Sequence, residues 1–387
     1  MASSTSIAMV GAVAGFSGLV AWWALSPAPR SAYHRAAEAD GDSFLTNRKH
    51  MLAFFEKDIQ KMKTTSLNTV AQAKRDRVVD VRILQWNVNV LMGATGRDPV
   101  PPEDVMAQIS RTDADVVLLQ EAGTQGFQED LLCGYSKYYQ QSVERLNGRI
   151  ECLHALLRKA GYSIVVADEY SENPALVATR LRVVDPGVSF RVDEGSFANA
   201  TKGDSRSGRI VRVALPNGDA AGGGSRGHSS QLAVLVTHLH HTEKLASLRG
   251  VRAAEVAALL RCWRKSAQPS NPTSPVIATV LASDLNFPRK KDYTSREWAI
   301  VRAGFERLGE PLEDGVECAL AAAGFRCTYD ESGIGAPAFT HWTGTTVDFA
   351  WCHFRTPAEW TVLRSETVPT NISDHLPIVT DLRWVGT

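Results

Sequence analysis

The chain has 387 residues, of which 44% are hydrophobic and 22% charged, enough apolar material for a sizeable core and too much for a disordered polypeptide. Its 42 Lys and Arg balance 42 Asp and Glu, so the zero net charge argues against a strongly basic nucleic-acid binder and leaves room only for a local basic patch. Its six cysteines (Cys133, Cys152, Cys262, Cys318, Cys327 and Cys352) show no CxxC or Cys/His spacing, which argues against a zinc site built from them and against a disulfide framework.

The first thirty residues are a different material from the rest. Ile7 to Leu25 carries no charge. As a helix these residues would rise about 28 Å, close to the hydrocarbon thickness of a bilayer. Trp22 and Trp23 close the segment, where aromatic rings favour the headgroup level. Residues 1–29 therefore read as a membrane anchor with one transmembrane helix. The competing reading is a cleaved signal peptide with a small-residue site near Ala28. A signal peptide carries Lys or Arg ahead of its apolar run, and none precedes Ile7; Arg30 and Arg35 follow it instead. The positive-inside rule then puts the body of a single-pass protein on the cytoplasmic side. Residues 30–77 read as a spacer with a short helix, striped by Phe54, Phe55, Ile59 and Met62. At roughly 150 residues per domain the length of the whole chain allows two domains, or one large α/β domain plus an extension, and 78–387 is read as the domain.

From Val78 strands and helices alternate. VVDVRILQWNV (78–88) is β-rich, with period-two alternation across Val79, Val81, Ile83 and Gln85. PPEDVMAQISRT follows, with prolines at its start and acids in its first turn, as helix entry requires. ADVVLLQEA (114–122) is a continuous apolar run ending in a carboxylate, the pattern of a buried strand. CLHALLRKAGY reads as a helix stopped by Gly161. IVVAD, ALVATRLRVV and RIVRVAL read as successive strands, and the Gly/Ser-rich stretch 218–230 as a surface loop. QLAVLVTHLHH (231–241) is a further strand, LASLRGVRAAEVAALLRCWRK the strongest helical pattern, and VIATVLASDLN (276–286) a buried strand with a polar end. TVDFAWCHF and LPIVTDL are read as the last two strands.

Several strands end in polar residues just where the apolar run stops: QWN at 85–87, QE at 120–121, SDLN at 283–286 and SDH at 373–375. Singly each is an ordinary strand terminus or turn. Together they supply the carboxylates Glu121, Asp284 and Asp374, the amides Asn87 and Asn286, and the imidazole of His375. Hard oxygen donors of this kind suit Mg²⁺, which binds through one or two carboxylates and substrate phosphate; Mn²⁺ is a substitute.

In the order Asn, Glu, Asp-x-Asn, Asp-His, this set resembles the endonuclease/exonuclease/phosphatase superfamily. The resemblance spans residues 78–387. Its branches include pancreatic-type deoxyribonucleases, abasic-site endonucleases, neutral sphingomyelinases, inositol polyphosphate 5-phosphatases and a tyrosyl-DNA phosphodiesterase. TVDFAW (346–351) matches the family's penultimate strand, so the resemblance implies that Asp348 holds the ring of His375 and favours its charged form. VTHLHH (236–241) matches the strand end of the deoxyribonuclease and sphingomyelinase branches, which places His238 in the site. One departure is Ser283 where the family commonly has glycine.

The resemblance implies a four-layer α/β/β/α sandwich of two mixed sheets with outer helices. It also implies roles: Glu121, assisted by Asn87, as metal ligand; Asp284 orienting or deprotonating the attacking water; Asn286 fixing substrate and Asp284; His375 stabilising the transition state; His238 on a phosphoryl oxygen; Asp374 at a second metal position or behind the first. Arg180, ending LVATR, is a candidate phosphate contact. His341 in FTHW reads as a structural histidine ahead of a pocket residue, and Arg289, Lys290 and Lys291 as a solvated loop ahead of a polyanion contact. The expected activity is Mg²⁺-dependent phosphodiester hydrolysis. The anchor and THLHH favour a sphingolipid substrate, while LLQEA, SDLN and SDHLPI fit nucleic acid or a tyrosyl-DNA phosphodiesterase-like repair enzyme. A catalytically dead membrane-tethered module is the non-enzyme alternative. It would have lost a carboxylate or His375, and none is missing.

Overall fold

The computed structural model describes residues 80–94, 99–123, 137–166, 175–191, 207–215, 230–239, 250–267, 275–308, 312, 315–337, 339–341 and 345–384. The expected membrane anchor (1–29) and spacer (30–77) lie outside them. Among the described residues no helix is long and apolar enough to cross a membrane.

The chain enters through β1 (Val81–Asn87), α1 (Pro102–Thr112) and β2 (Val116–Gln120). Pro102 opens α1 with Glu103 and Asp104 in its first turn, and Asp113 ends it in the left-handed region at φ 52°. The long α2 (Lys137–Lys159) stops before Gly161, whose φ of 87° suits a residue without Cβ. There follow β3 (Ser163–Val166), β4 (Leu176–Thr179), β5 (Val183–Arg191), β6 (Ser207–Ala214) and β7 (Gln231–Thr237). Next come α3 (Val251–Ala267), β8 (Val276–Asp284), α4 (Ser295–Leu308), α5 (Gly315–Ala322) and the short β9 (Arg326–Cys327). The chain closes with β10 (Asp348–Phe354), β11 (Trp360–Thr367) and β12 (Ile378–Trp384).

Among the described residues two six-stranded mixed sheets result, ordered β11-β12-β1-β2-β4-β3 and β5-β6-β7-β8-β10-β9. The β1/β2 and β7/β8 pairs are parallel, and the other pairings are antiparallel. Val81, Ile83, Val116, Leu118 and Val177 of the first sheet share one core with Val211, Val234, Val280 and Ala350 of the second, so the sheets face each other. Leu84, Trp86 and Val117 turn the other way, onto Val105 and Ile109 of α1 and Leu153 and Leu157 of α2. On the far side Leu235, Leu281 and Phe349 pack against Val256, Leu259 and Trp263 of α3 and Val316 and Leu320 of α5. The molecule is an α/β sandwich with helices on both outer faces. All seven residues of β1 are buried because each face of the strand is covered.

Two expectations need correction. ALVATRLRVV is two strands in different sheets: β4 ends at Thr179, whose Oγ1 accepts from Leu181 N at 3.0 Å, and β5 begins in the second sheet. A short apolar run carries no signal that it changes sheet. The strand before LPIVTDL is β11, which the sequence pattern did not indicate.

Candidate active site

Strand parity builds the site. On β1, Val81, Ile83, Gln85 and Asn87 share the face turned to the second sheet, and on β2 Val116, Leu118 and Gln120 do. The second sheet contributes Val234, Val236 and then His238; Val280, Ala282 and Asp284; and, running antiparallel, Asp348 before Ala350 and Cys352. The inter-sheet core thus changes from apolar to polar at one end of the sandwich, on several strands at once. His375 enters the same end just before β12.

These residues touch. Asn87 Nδ2 donates to Glu121 Oε1 at 3.2 Å and to Asp284 Oδ2 at 3.1 Å. Asp284 Oδ1 accepts from Asn286 N at 2.9 Å, and its Oδ2 lies 3.4 Å from His238 Nε2 and 3.7 Å from His375 Nε2. Asn286 Nδ2 donates to Leu239 O at 2.9 Å and lies 3.1 Å from His238 Nε2. His238 Nδ1 is 3.7 Å from Glu121 Oε1. His375 Nδ1 donates to Asp348 Oδ2 at 2.8 Å, the contact the resemblance implied. The loop carrying Asp374 and His375 is fastened to β1: Ser373 Oγ donates to Asn87 O at 2.8 Å and Trp86 Nε1 to His375 O at 3.0 Å. Ser283, the departure from the family's glycine, donates its hydroxyl to Thr237 O and so ties the end of β8 to the residue before His238. Glu121 and Asn286 hold left-handed φ values of 55° and 48°, uncommon outside glycine and frequent at working sites.

The side chains of Glu121, Asp374 and His341 are 17%, 15% and 18% exposed, whereas Asp284 and Asp348 are at most 1% exposed. The first three line the open face and the last two form the floor. Burial alone would lower the His375 pKa, but Asp348 and Asp284 beside it hold it well above the usual imidazole value, so the ring stays cationic. Burial alone would raise Asp284, yet His375 and His238, with a hydrogen bond from Asn87, hold its carboxyl well below the usual carboxylate range. Asp374 is pushed up to about 6 by burial; His375 opposes this and the charge of Glu121 adds to it.

That repulsion at the open face is what a divalent cation would relieve, and oxygen donors suit a hard ion. Asn87 reaches Glu121, the residue it is expected to assist. Its Oδ1 accepts from Asn89 N at 2.9 Å, and its amide nitrogen joins the carboxylates of Glu121 and Asp284. Ligand atoms of His341, Asp374 and His375 also lie within 4.8 Å of one another.

Arg180 is not brought to the site. β4 runs antiparallel to β2, so Thr179 pairs with Val116, at the opposite end from Glu121. Its guanidinium pairs with Asp113 at 2.9 Å and lies over the Tyr162 ring. Arg289 is no solvated loop residue. It is fully buried, bonded to Asp292 and Asp330, and stacked over Phe349 and Trp351. His341, read as structural, is at the site: its ring centroid is 4.4 Å from that of His375, and its Nε2 is 3.9 Å from Asp374 Oδ2. The only signal for it in the sequence is its position a few residues before TVDFAW. His240 lies outside the described residues.

The model of the Endonuclease/Exonuclease/phosphatase family matches residues 84–375. A search of curated proteins returns no match. Among solved structures, an endonuclease/exonuclease/phosphatase from Beutenbergia cavernae superposes with a TM-score of 0.52 at 18% identity, covering 80% of this chain and 72% of that one. The human Nocturnin catalytic domain with bound sulfate superposes with a TM-score of 0.50 at 17% identity, covering 80% of this chain and 95% of that one. At such identities the superpositions speak for the fold.

Proposed function

Because the chain belongs to the endonuclease/exonuclease/phosphatase family, whose members are metal-dependent phosphoric-ester hydrolases, we propose that it hydrolyses a phosphodiester by Mg²⁺-assisted in-line attack of water. The observation that carries this reading is the convergence of Glu121, His238, Asp284, Asn286, Asp348, Asp374 and His375, from both sheets, on one edge of the sandwich.

Glu121 and Asp374 would hold the cation, with Asn87 orienting Glu121. When bound, Mg²⁺ supplies charge neutralisation at the phosphoryl oxygens. Asp284, kept ionised by the two imidazoles, accepts a hydrogen bond from the attacking water and aligns it. Its orientation is fixed by Asn87 and Asn286. His375, cationic against Asp348, faces the charge that builds on the phosphoryl group as the bond breaks. His238 and Asn286 present nitrogen donors to a non-bridging oxygen.

Nucleic acid and sphingolipid both offer the required diester. The zero net charge speaks against tight non-specific DNA binding, and the apolar run Ile7–Leu25 would tether the domain beside a bilayer, on its cytoplasmic side by the positive-inside rule. The test is hydrolysis of bis-p-nitrophenyl phosphate by the full chain, with Mg²⁺ and with EDTA, followed by single-stranded DNA, RNA and sphingomyelin side by side. Turnover that EDTA abolishes is expected. No metal-dependent turnover on any of the four would leave the chain a tethered binding module.

A further inference from the structure

We infer that Gln85 and Gln120 are positioning residues: the pair clamps the Asp348 carboxylate and, through it, the ring of His375. The inference rests on the hydrolytic reading above and adds to it a function for two side chains in the floor of the site.

Both glutamines sit where the inter-sheet layer turns polar, one step beyond Ile83 on β1 and Leu118 on β2, and both are almost wholly buried (1% and 0% exposed). Gln85 Nε2 donates to Asp348 Oδ1 at 2.9 Å. The second N–H of that nitrogen then goes to Gln120 Oε1, 2.7 Å away. Asp348 is therefore gripped at both oxygens, Oδ1 by Gln85 and Oδ2 by His375 Nδ1 at 2.8 Å. Two-point contact fixes the plane of the carboxylate, and with it the direction from which the His375 ring is held. Gln120 in turn leaves Gln85 a single amide orientation.

The arrangement is costly to the fold. Gln85 Oε1 and Gln120 Nε2 are buried with no hydrogen-bond partner among the described residues. Buried unsatisfied amides destabilise, and methionine at position 85 would remove one such atom while leaving Gln120 Oε1 and Asp348 Oδ1 without their donor. The neighbours Ile83 and Leu118 show that this layer accepts apolar side chains. A structural role predicts lost stability on replacement. A positioning role predicts lost turnover as well, in a variant that is still folded under the assay conditions.

The test uses the full chain carrying Gln85→Met, Gln120→Met, Asp348→Asn, or Gln85→Met with Asp348→Asn. On bis-p-nitrophenyl phosphate at saturating Mg²⁺, Gln85→Met should lower kcat about tenfold, as loss of a hydrogen bond to a charged group does, with KM nearly unchanged. The variant should still be folded at the assay temperature, as thermal unfolding followed by circular dichroism would show, and adding it to Asp348→Asn should cause no further loss of kcat. The far-downfield proton resonance of His375 Nδ1–H, assigned by its absence in His375→Gln, should shift or broaden in Gln85→Met. Wild-type kcat in Gln85→Met, or losses that multiply with those of Asp348→Asn, would overturn the inference. An ester-inactive wild type would sink the hydrolytic reading alone. The resonance would then decide: unchanged in Gln85→Met, it refutes the clamp; displaced, it supports it.

Discussion

Arg289→Ala should destabilise the domain severely, and the structure sets the magnitude. The guanidinium has no exposed surface and grips two carboxylates: Asp292 through Nε at 2.7 Å and Nη2 at 2.5 Å, and Asp330 through Nη1 at 2.8 Å. The two partners are not equal. Asp330 keeps 40% of its side chain exposed and also meets Lys291 at 2.9 Å, so it can rehydrate or re-pair. Asp292 is only 5% exposed and would lose both guanidinium hydrogen bonds, with little water to replace them. Breaking a buried pair from one side costs about 3–5 kcal/mol, and losing the packing over Phe349 and Trp351 adds to it. For a domain of this size that lowers the unfolding midpoint by roughly 5–8 °C. Thermal unfolding followed by circular dichroism reads the shift. Arg289→Lys should recover only a fraction, because an ammonium cannot grip both carboxylates in the guanidinium's forked geometry. An alanine variant melting within about 2 °C of the parent would show that the residue is solvated, as its place in the run Arg289-Lys290-Lys291 had implied, and the burial argument would be wrong.

Three further outcomes are expected. Glu121→Gln, isosteric but uncharged, should abolish ester hydrolysis at Mg²⁺ levels that saturate the parent while leaving the melting curve intact; undiminished turnover at saturating Mg²⁺ would remove Glu121 from the metal. Burial holds the His154 imidazole below its ordinary pKa, against the hydrogen bond of its Nε2 to Ala122 O at 2.7 Å. The unfolded chain therefore binds the proton more readily, so this contribution is whole above the ordinary value of 6.5 and shrinks as the pH falls through it. Between about pH 7.5 and 5.5 the denaturant midpoint should fall more in the parent than in His154→Gln, and equal falls would rule the residue out. The Cys327 thiol is buried and pushed up to about 12 by that burial, and Cys352 is raised likewise, whereas Cys152 and Cys318 are exposed. Iodoacetamide should label Cys152 and Cys318 in the native protein and reach Cys327 and Cys352 only in denaturant, as mass spectrometry of the peptides would show.

Much of the site was legible because an α/β sheet places its chemistry where apolar runs stop. Val280-Leu281-Ala282-Ser283-Asp284 announces both a buried strand and its functional end, and Val117-Leu118-Leu119-Gln120-Glu121 does the same. What stayed hidden depends on relations between strands. The run through Arg180 gives no sign that it crosses from one sheet to the other, so the arginine's place at the remote end could not be foreseen. His341 reaches the site through backbone bridges to Thr345 and His375, a pairing with no local pattern. Gln85 and Gln120 stood in plain view inside QWN and LLQEA. Their function needed the facing aspartate of the other sheet, 263 positions from Gln85, to give it meaning. Arg289 looked like one member of a charge run. The two aromatic rings beneath it and the carboxylate of Asp330 are supplied from elsewhere in the chain.

β12 lies between β11 and β1, and Trp384 N is fastened to Asp80 across 304 positions. A ribosome adding about 5–20 residues per second needs roughly 15–60 s to make that length. Throughout this interval the flank of β1 that pairs with β12, from Val81 to Gln85, is left unzipped, an edge open to stray pairing. His375 emerges only three residues ahead of the strand that completes the sheet, so a translation product interrupted before it lacks both that strand and the imidazole proposed to face the phosphoryl group.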